Sequence, residues 1–415
     1  MVLEISEYVP VNQAVGDALA KLSPPSEERV NTKRAFGRVA AADTVCQSDI
    51  PPYSTSHMDG FALRAEDSAG ATEARPARFE IVGVVEVGRR TKRRLAQGEA
   101  VRVATGSFLP EGADSVVPVE ETRVSARRLS IRRSVPKGSF VFAAGGDVRK
   151  GTVLLRKGVT IRAQDVGLLI MLGVPEVRVF RRLRVAILAT GNELTNSVNA
   201  SSLKVRNSHV PVFLHMVRAL GCEVEDLGIA PDKVGIVFSR LSRGIRNADL
   251  VLTTGGTSVG KLDLADHVVR RLKPQVLHHG IRMDRGRVAG LAVAKGKGVI
   301  MMPGPIQGAM NAFFLLGLPM IKKLSGKKDL GTSVMAKLTR RWEARRRFPN
   351  FTKVVYLRVL PTKTGVAAEP LIAETESISL LTESNAFAVV PEEVRILEAG
   401  HEVEAHLIPG FSFAS

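Results

Sequence analysis

Apolar positions recur at helical spacing between residues 11 and 22, and Pro24-Pro25 closes the run, so a helix is predicted there. A second helix is predicted over 27–35. Pro51-Pro52-Tyr53-Ser54 breaks regular structure, and Gly60-Phe61-Ala62-Leu63 then opens a region of short alternating strands. Strands are predicted at 79–87, 100–104, 115–119, 122–124 and 129–132, with the Gly and Pro turns of a small β domain between them. Helix returns over 164–172, where Val166, Leu169, Ile170 and Leu172 share a side and Gly173 stands at the stop position.

From 183 to 325 the pattern alternates. Predicted segments are 184–189, 210–220, 223–229, 234–244, 250–254, 263–272, 299–302 and 309–316, the signature of a mostly parallel sheet covered by helices on both faces. Short strands resume at 333–338, 354–359, 387–391 and 402–407, as in a small barrel or sandwich. The fold class is therefore multidomain, α/β plus β. Its expected parts are residues 1–45 with 146–182, an inserted β domain at 46–145, an α/β domain at 183–328 and a C-terminal β domain at 329–415. No internal repeat is visible.

The segment with most chemical content is Thr253-Thr254-Gly255-Gly256-Thr257-Ser258-Val259-Gly260, followed by Asp263. An apolar strand that runs into Gly-Gly and then a helix start is a place for an anion, because glycines let backbone N–H groups turn inward and the helix dipole favours negative charge. Thr257 and Ser258 add hydroxyls, and Asp263 is a hard oxygen ligand suited to Mg²⁺ beside a phosphate. The same residues equally fit a tight βα turn with a capping serine. Ligands of such sheets bind at the carboxyl ends of strands, where Thr190-Gly191-Asn192-Glu193 also falls.

Composition bounds the partners. The chain has 415 residues, 45% hydrophobic and 24% charged, which is ordinary for a globular protein of roughly two to four domains. A net charge of +18 implies attraction to polyanions, but only 5% of residues are aromatic and no nucleic-acid-binding motif is present, so nucleic acid is not the expected partner. One dense basic cluster, Arg340-Arg341-Trp342-Glu343-Ala344-Arg345-Arg346-Arg347, reads as a solvated face or a domain connection. Two cysteines, Cys46 and Cys222, are too few for a disulfide framework and lack metal-site spacing. The N-terminus is acidic rather than signal-like, and apolar stretches such as 166–174 are too short to span a bilayer. A soluble, cytoplasmic protein with no membrane partner is expected.

Several motifs, in order, resemble the MoeA family of molybdopterin molybdenumtransferases, which includes the gephyrin E domain. They are Ser56-His57-Met58-Asp59-Gly60-Phe61-Ala62, Ala104-Thr105-Gly106-Ser107, Pro110-Glu111-Gly112-Ala113-Asp114, Asp147-Val148-Arg149-Lys150-Gly151, Ala189-Thr190-Gly191-Asn192-Glu193-Leu194 and the Gly-Gly turn with Asp263. The resemblance implies a MogA-like three-layer α/β domain, a discontinuous linker domain and a homodimer. It implies insertion of molybdate or tungstate into adenylylated molybdopterin, a phosphorylated pterin, with Mg²⁺ and release of AMP.

On that resemblance, Asp263 and Glu193 orient metal and substrate, with Asp232 nearby and Asp59 supplied by the partner subunit. Thr190, Gly191, Gly255, Gly256, Thr257, Ser258, Arg287, Pro303 and Gly304 are the expected binding positions. The residue pattern alone also lets Asp263 cap a helix and lets Asp232 and Asp59 be turn residues.

Three stretches depart from the family pattern. Asp284-Arg285-Gly286-Arg287-Val288 stands where the family has Lys-Pro-Gly-Lys/Arg-Pro, so a carboxylate replaces a lysine. Near a poorly solvated phosphate that exchange is worth on the order of a few kcal/mol. Met302-Pro303-Gly304-Pro305-Ile306-Gln307-Gly308 keeps the first Pro-Gly, but Pro305 lacks an N–H. Asn207-Ser208-His209 replaces a Ser-Asn pair, and His209 is expected to be exposed. The departures fit either a divergent transferase or a non-catalytic relative that binds pterin or nucleotide, or serves as a dimeric scaffold.

Overall fold

The computed structural model describes residues 7–199, 201, 203–256, 264–345, 347–363, 365–372 and 377–411. The chain divides into two compact units: residues 1–42, 157–163 and 176–415 form one, and residues 43–156 and 164–175 form the other. Among the described residues no helix is long and apolar enough to cross a membrane. Both cysteines are buried and unpaired.

The larger unit is built on a six-stranded sheet. Its strands are β1 (Arg184–Thr190), β2 (Glu223–Ala230), β3 (Leu250–Thr254), β4 (Val276–His279), β5 (Gly290–Ala294) and β6 (Lys297–Met302), in the order β2-β1-β3-β6-β5-β4. The pairings β2-β1, β1-β3 and β3-β6 are parallel; β5 runs antiparallel to β6 and β4.

β1 is apolar at nearly every position because both its faces are covered. Val185, Ile187 and Ala189 pack with helix α2 (His209–Ala219), through Val210, Phe213 and Val217. Ala186 and Leu188 pack on the opposite face with Val237 and Leu241 of α3 (Val234–Asn247) and Val268 of α4 (Leu264–Arg270). The expected three-layer α/β arrangement is thus present.

The helix predicted over 11–22 forms as α1 (Val11–Lys21), and its buried Val11, Ala14 and Ala18 join the first of these cores. The helix predicted over 27–35 does not form. Glu27–Asn31 is a strand antiparallel to Glu176–Phe180, and only a 3₁₀ turn, Thr32–Arg34, follows it. The Glu-rich segment has reasonable helix propensity, but five ladder pairs with a distant strand outweigh that weak preference. The Asn31 side chain then accepts the Lys33 N–H at 3.0 Å and starts the tight turn.

A buried helical run, Ile306–Ala312, continues through a π turn at Phe313–Gly317 into Leu318–Ser325. It leads to a closed barrel of β7 (Ser333–Leu338), β8 (Lys353–Thr362), β9 (Gly365–Leu371), β10 (Ala386–Val390) and β11 (Glu402–Leu407), ordered β7-β9-β8-β10-β11. Phe314 stacks on Phe387 with ring centroids 3.9 Å apart, which ties that helical run to the barrel.

The smaller unit contains a six-stranded sheet in the order Ser115–Pro118, Gly60–Leu63, Glu99–Val103, Ala77–Val85, Arg128–Ile131, Thr122–Ser125. Phe61, Leu63, Phe79 and Leu129 fill one side, and Ala62, Val85, Val101 and Val116 the other. The expected helix near 164–172 is Ala163–Met171.

Candidate active site at the strand ends

β1 and β3 are neighbours, and the connection after β1 crosses to β2 while that after β3 runs the other way to β4, so a crevice opens beyond the carboxyl ends of β1 and β3. Thr190-Gly191 and Gly255-Gly256 both lie at that crevice. Four strand ends are stitched together there. The Gly191 N–H donates to Ala230 O at 3.1 Å, the Thr190 hydroxyl to Thr254 O at 3.2 Å, and the Gly255 N–H to Met302 O at 3.2 Å. Met302 leads directly into Pro303-Gly304, so that pair joins the same edge.

A positive φ favours glycine at all three turn positions, and at Gly255 backbone packing demands it as well. Gly255 has φ +81°, and a Cβ there would lie 2.3 Å from the Thr190 carbonyl oxygen; at Gly256, φ +71°, it would lie 2.9 Å from the Thr190 hydroxyl. Gly191 has φ +152°, and a Cβ would lie 2.5 Å from a carboxylate oxygen of Glu193. The Glu193 carboxylate thus occupies the space that the missing side chain leaves, and among the described residues it makes no hydrogen bond or ion pair. Asp232 is engaged differently: its carboxylate accepts the Asn192 N–H at 3.2 Å, and its own N–H donates to the Asn192 side chain at 3.1 Å. This reciprocal pair fixes the turn that carries Glu193. Thr257, Ser258 and Asp263 lie outside the described residues.

A second cluster forms on the loop between β4 and β5. A cavity of about 290 Å³ is lined by Asp284, Arg285, Arg287, Pro303, Pro305 and, from the barrel domain, Arg345, Arg347 and Phe348. Arg287 lies 4.9 Å and Arg347 5.6 Å from the centre of the Phe348 ring. The basic run at 340–347, read from sequence as a solvated face or connection, therefore sends two guanidiniums to this cavity. A neighbouring space of about 70 Å³ adds Lys353, Asn311 and Tyr356.

The loop is held rigidly. Asn311 donates to the carbonyls of Asp284 and Arg285, both at 3.1 Å, and accepts the buried Tyr356 hydroxyl at 3.0 Å. Arg285 takes the left-handed conformation at φ +49° and hydrogen-bonds Gln307. Asp284 caps the Arg285 N–H at 2.9 Å. Lys353 is buried and donates to the carbonyls of Pro391, Glu392 and Val394 at 2.8–3.3 Å. Burial holds its ammonium below the usual lysine range, with Asp284 the strongest opposing influence.

His209 was expected to be exposed and is half-buried instead, because α2 packs its first turn against the sheet end. Burial holds its imidazole below the ordinary range, against the opposing pull of a hydrogen bond with the Gly304 backbone. Its Nε2 is buried without a partner among the described residues. The sequence offered no signal for this contact beyond a titratable group next to a helix start.

Asp59 belongs to the smaller unit. It is exposed, and its carboxylate accepts the Thr105 N–H at 2.7 Å and hydroxyl at 2.9 Å. These bonds, the backbone one foremost, hold its pKa below the usual carboxylate range. Gly60 admits no side chain, since a Cβ would lie 2.0 Å from the Val117 carbonyl oxygen. Among the described residues no three His, Cys, Asp or Glu side chains gather as a metal site.

Comparison with known proteins agrees with this architecture. The family model of the MoeA N-terminal region (domain I and II) matches residues 9–173. A probable molybdopterin binding domain matches 186–323, and the MoeA C-terminal region (domain IV) matches 335–408. The chain is 28% identical to a molybdopterin molybdenumtransferase of Staphylococcus epidermidis over 415 residues, 100% of this chain and 99% of that protein. It is 28% identical to one of Staphylococcus aureus over 407 residues, 97% of this chain and 96% of that protein. A crystal structure of a molybdopterin biosynthesis MoeA protein from Pyrococcus horikoshii superposes with TM-score 0.85 at 28% identity, covering 98% of this chain and 100% of that one. With three successive family domains spanning nearly its whole length, the chain belongs to the MoeA family of molybdenum cofactor biosynthesis.

Proposed function

We propose that this chain inserts molybdate or tungstate into adenylylated molybdopterin and releases AMP. The observation that carries the reading is the convergence of Gly191, Glu193, Gly255 and Gly256 at the crevice between β1 and β3. Cleaving a phosphoanhydride under metalate attack is mainly a matter of positioning and charge neutralisation. The Gly191 and Gly255 N–H groups are already bonded to neighbouring strand ends, so the phosphates would sit against the turn at Gly256, and Arg287, Arg345 and Arg347 supply positive charge along the neighbouring cavity. Glu193, together with Asp263, would hold Mg²⁺, a hard cation that prefers carboxylates; bound there, it would neutralise charge developing on the phosphates. The carboxylate that Gly191 makes room for fits that assignment. Asp59, oriented by Thr105 and held ionised, is contributed by a partner copy in a homodimer that works in the cytoplasm. The domain boundaries at 45, 145, 182 and 328 follow the same reading.

Asp284 favours a second reading, a relative that binds pterin or nucleotide without turning it over. Its carboxylate stands in the basic cavity. Glu193→Gln discriminates. The transferase reading expects turnover to fall by about a hundredfold or more with the melting temperature unchanged, a loss typical of removing a metal-orienting carboxylate; Asp263→Ala is expected to behave alike. Unchanged turnover in both variants would remove these carboxylates from the chemistry.

A further inference from the structure

The smaller unit carries a basic run denser than the one noted from the sequence: Arg89-Arg90-Thr91-Lys92-Arg93-Arg94, five cations in six residues. It lies between Ala77–Val85 and Glu99–Val103. Three of the five have carboxylate partners: Arg89 with Glu86 at 3.2 Å, Arg93 with Glu99 at 2.6 Å and Arg94 with Glu111 at 3.8 Å. Arg90 and Lys92 have none among the described residues. Both line a cavity of about 560 Å³ with Tyr53, Ser54, Thr91 and Glu111, within the range of roughly 300–1,000 Å³ usual for small-ligand sites.

The wall of this cavity is built. Leu95 is buried and its N–H donates to Glu111 O at 2.8 Å, so the basic run is pinned where it ends. At Gly112, φ +93°, a Cβ would lie 2.8 Å from the Leu95 carbonyl oxygen. On the other side, Tyr53 meets Phe108 edge-on with centroids 5.6 Å apart, which fixes the Tyr53 ring. The Arg90 guanidinium lies 3.8 Å over that ring. A guanidinium stacked on an aromatic face offers its opposite face to a second planar system, and bases stack on arginine planes in this way. Lys92, with the Thr91 and Ser54 hydroxyls, supplies donors for a phosphate.

We infer that this cavity binds a nucleoside monophosphate, its base on the outer face of Arg90 and its phosphate toward Lys92. A single arginine-aromatic platform in one cavity suits a mononucleotide. A polynucleotide groove would need successive stacking platforms, and the exposed apolar neighbours of the run are Val84 and Val87. The inference stands apart from the transferase reading, because it uses none of the residues assigned to that site.

Photo-crosslinking of azido-adenosine monophosphate to the full-length protein, with peptide mapping, tests it. Label is expected on the peptides that carry Tyr53 or Arg90 and Lys92. Unlabelled AMP should compete, whereas inorganic phosphate or adenosine alone at the same concentration should not. Arg90→Ala with Lys92→Ala should lower labelling there by about tenfold or more, and Lys92→Glu alone should lower it too; a tenfold loss is 1.4 kcal/mol of binding. Label confined to other peptides, or retained in both variants, would overturn the inference. So would polyadenylate competing far better than AMP per nucleotide, which would mark a polynucleotide surface.

Discussion

Gly255 has two independent reasons to lack a side chain: a positive φ, and a carbonyl 2.3 Å from where a Cβ would sit. Gly255→Ala is therefore expected to destabilise the fold by about 1–3 kcal/mol and to weaken binding of adenylylated molybdopterin. Denaturant unfolding and equilibrium binding check the two effects separately; full stability and unchanged affinity would mean that the turn relaxes without consequence. Asp284 poses the opposite case. Its carboxylate already accepts the Arg285 N–H, which an asparagine oxygen can still do, and Lys353 lies within its electrostatic reach. A lysine at 284 would set a second ammonium near Lys353, so Asp284→Asn is the cleaner change. It is expected to tighten pterin binding by several-fold, on the scale of removing one repulsive charge near a phosphate. Weaker or unaltered binding would place Asp284 away from the phosphate. The position of Glu193 and the glycine turns at the strand ends was legible in the sequence because their motifs are local. Arg345 and Arg347 were not, because only the docking of the barrel beside Asp284 and Arg287 gives their charges a cavity to line.

At the scale of elements, long periodic segments were readable and short, tertiary-dependent ones were not. The strands at the sheet centre and α3 announced themselves through continuous burial or a clear apolar stripe. β4, β5 and β9 were missed, since short strands at a sheet edge or in a hairpin carry little pattern of their own. The segment 27–31 was misread for the same reason: its partner lies at 176–180, far along the chain. α2 links an element to the site through His209. Its folded-state pKa is depressed, so the unfolded chain takes up the proton first as pH falls. The stabilising contribution is complete above the unfolded value of 6.5 and is lost as pH falls through the lower folded pKa. Stability of the larger unit should therefore decline below about pH 6.5, and His209→Gln should flatten that part of the profile. An identical decline in the variant would assign it to other groups.

For the whole molecule, the order of domain types was readable because each has its own periodicity, and a net charge of +18 directed attention to anions. The sequence could not say which cations face a site and which are matched by carboxylates. At 340–347 and again at 89–94, arginines that look alike in sequence divide into paired surface groups and groups that line cavities. The central claim, metalate insertion with loss of the nucleotide, is a statement about the complete protein and is best tested on it. The decisive measurement is AMP release from adenylylated molybdopterin by the purified full-length chain with Mg²⁺, in the presence and absence of molybdate or tungstate. Release that depends on the metalate is the predicted result. No release while the ligand remains bound would contradict the account and leave a binding relative in its place.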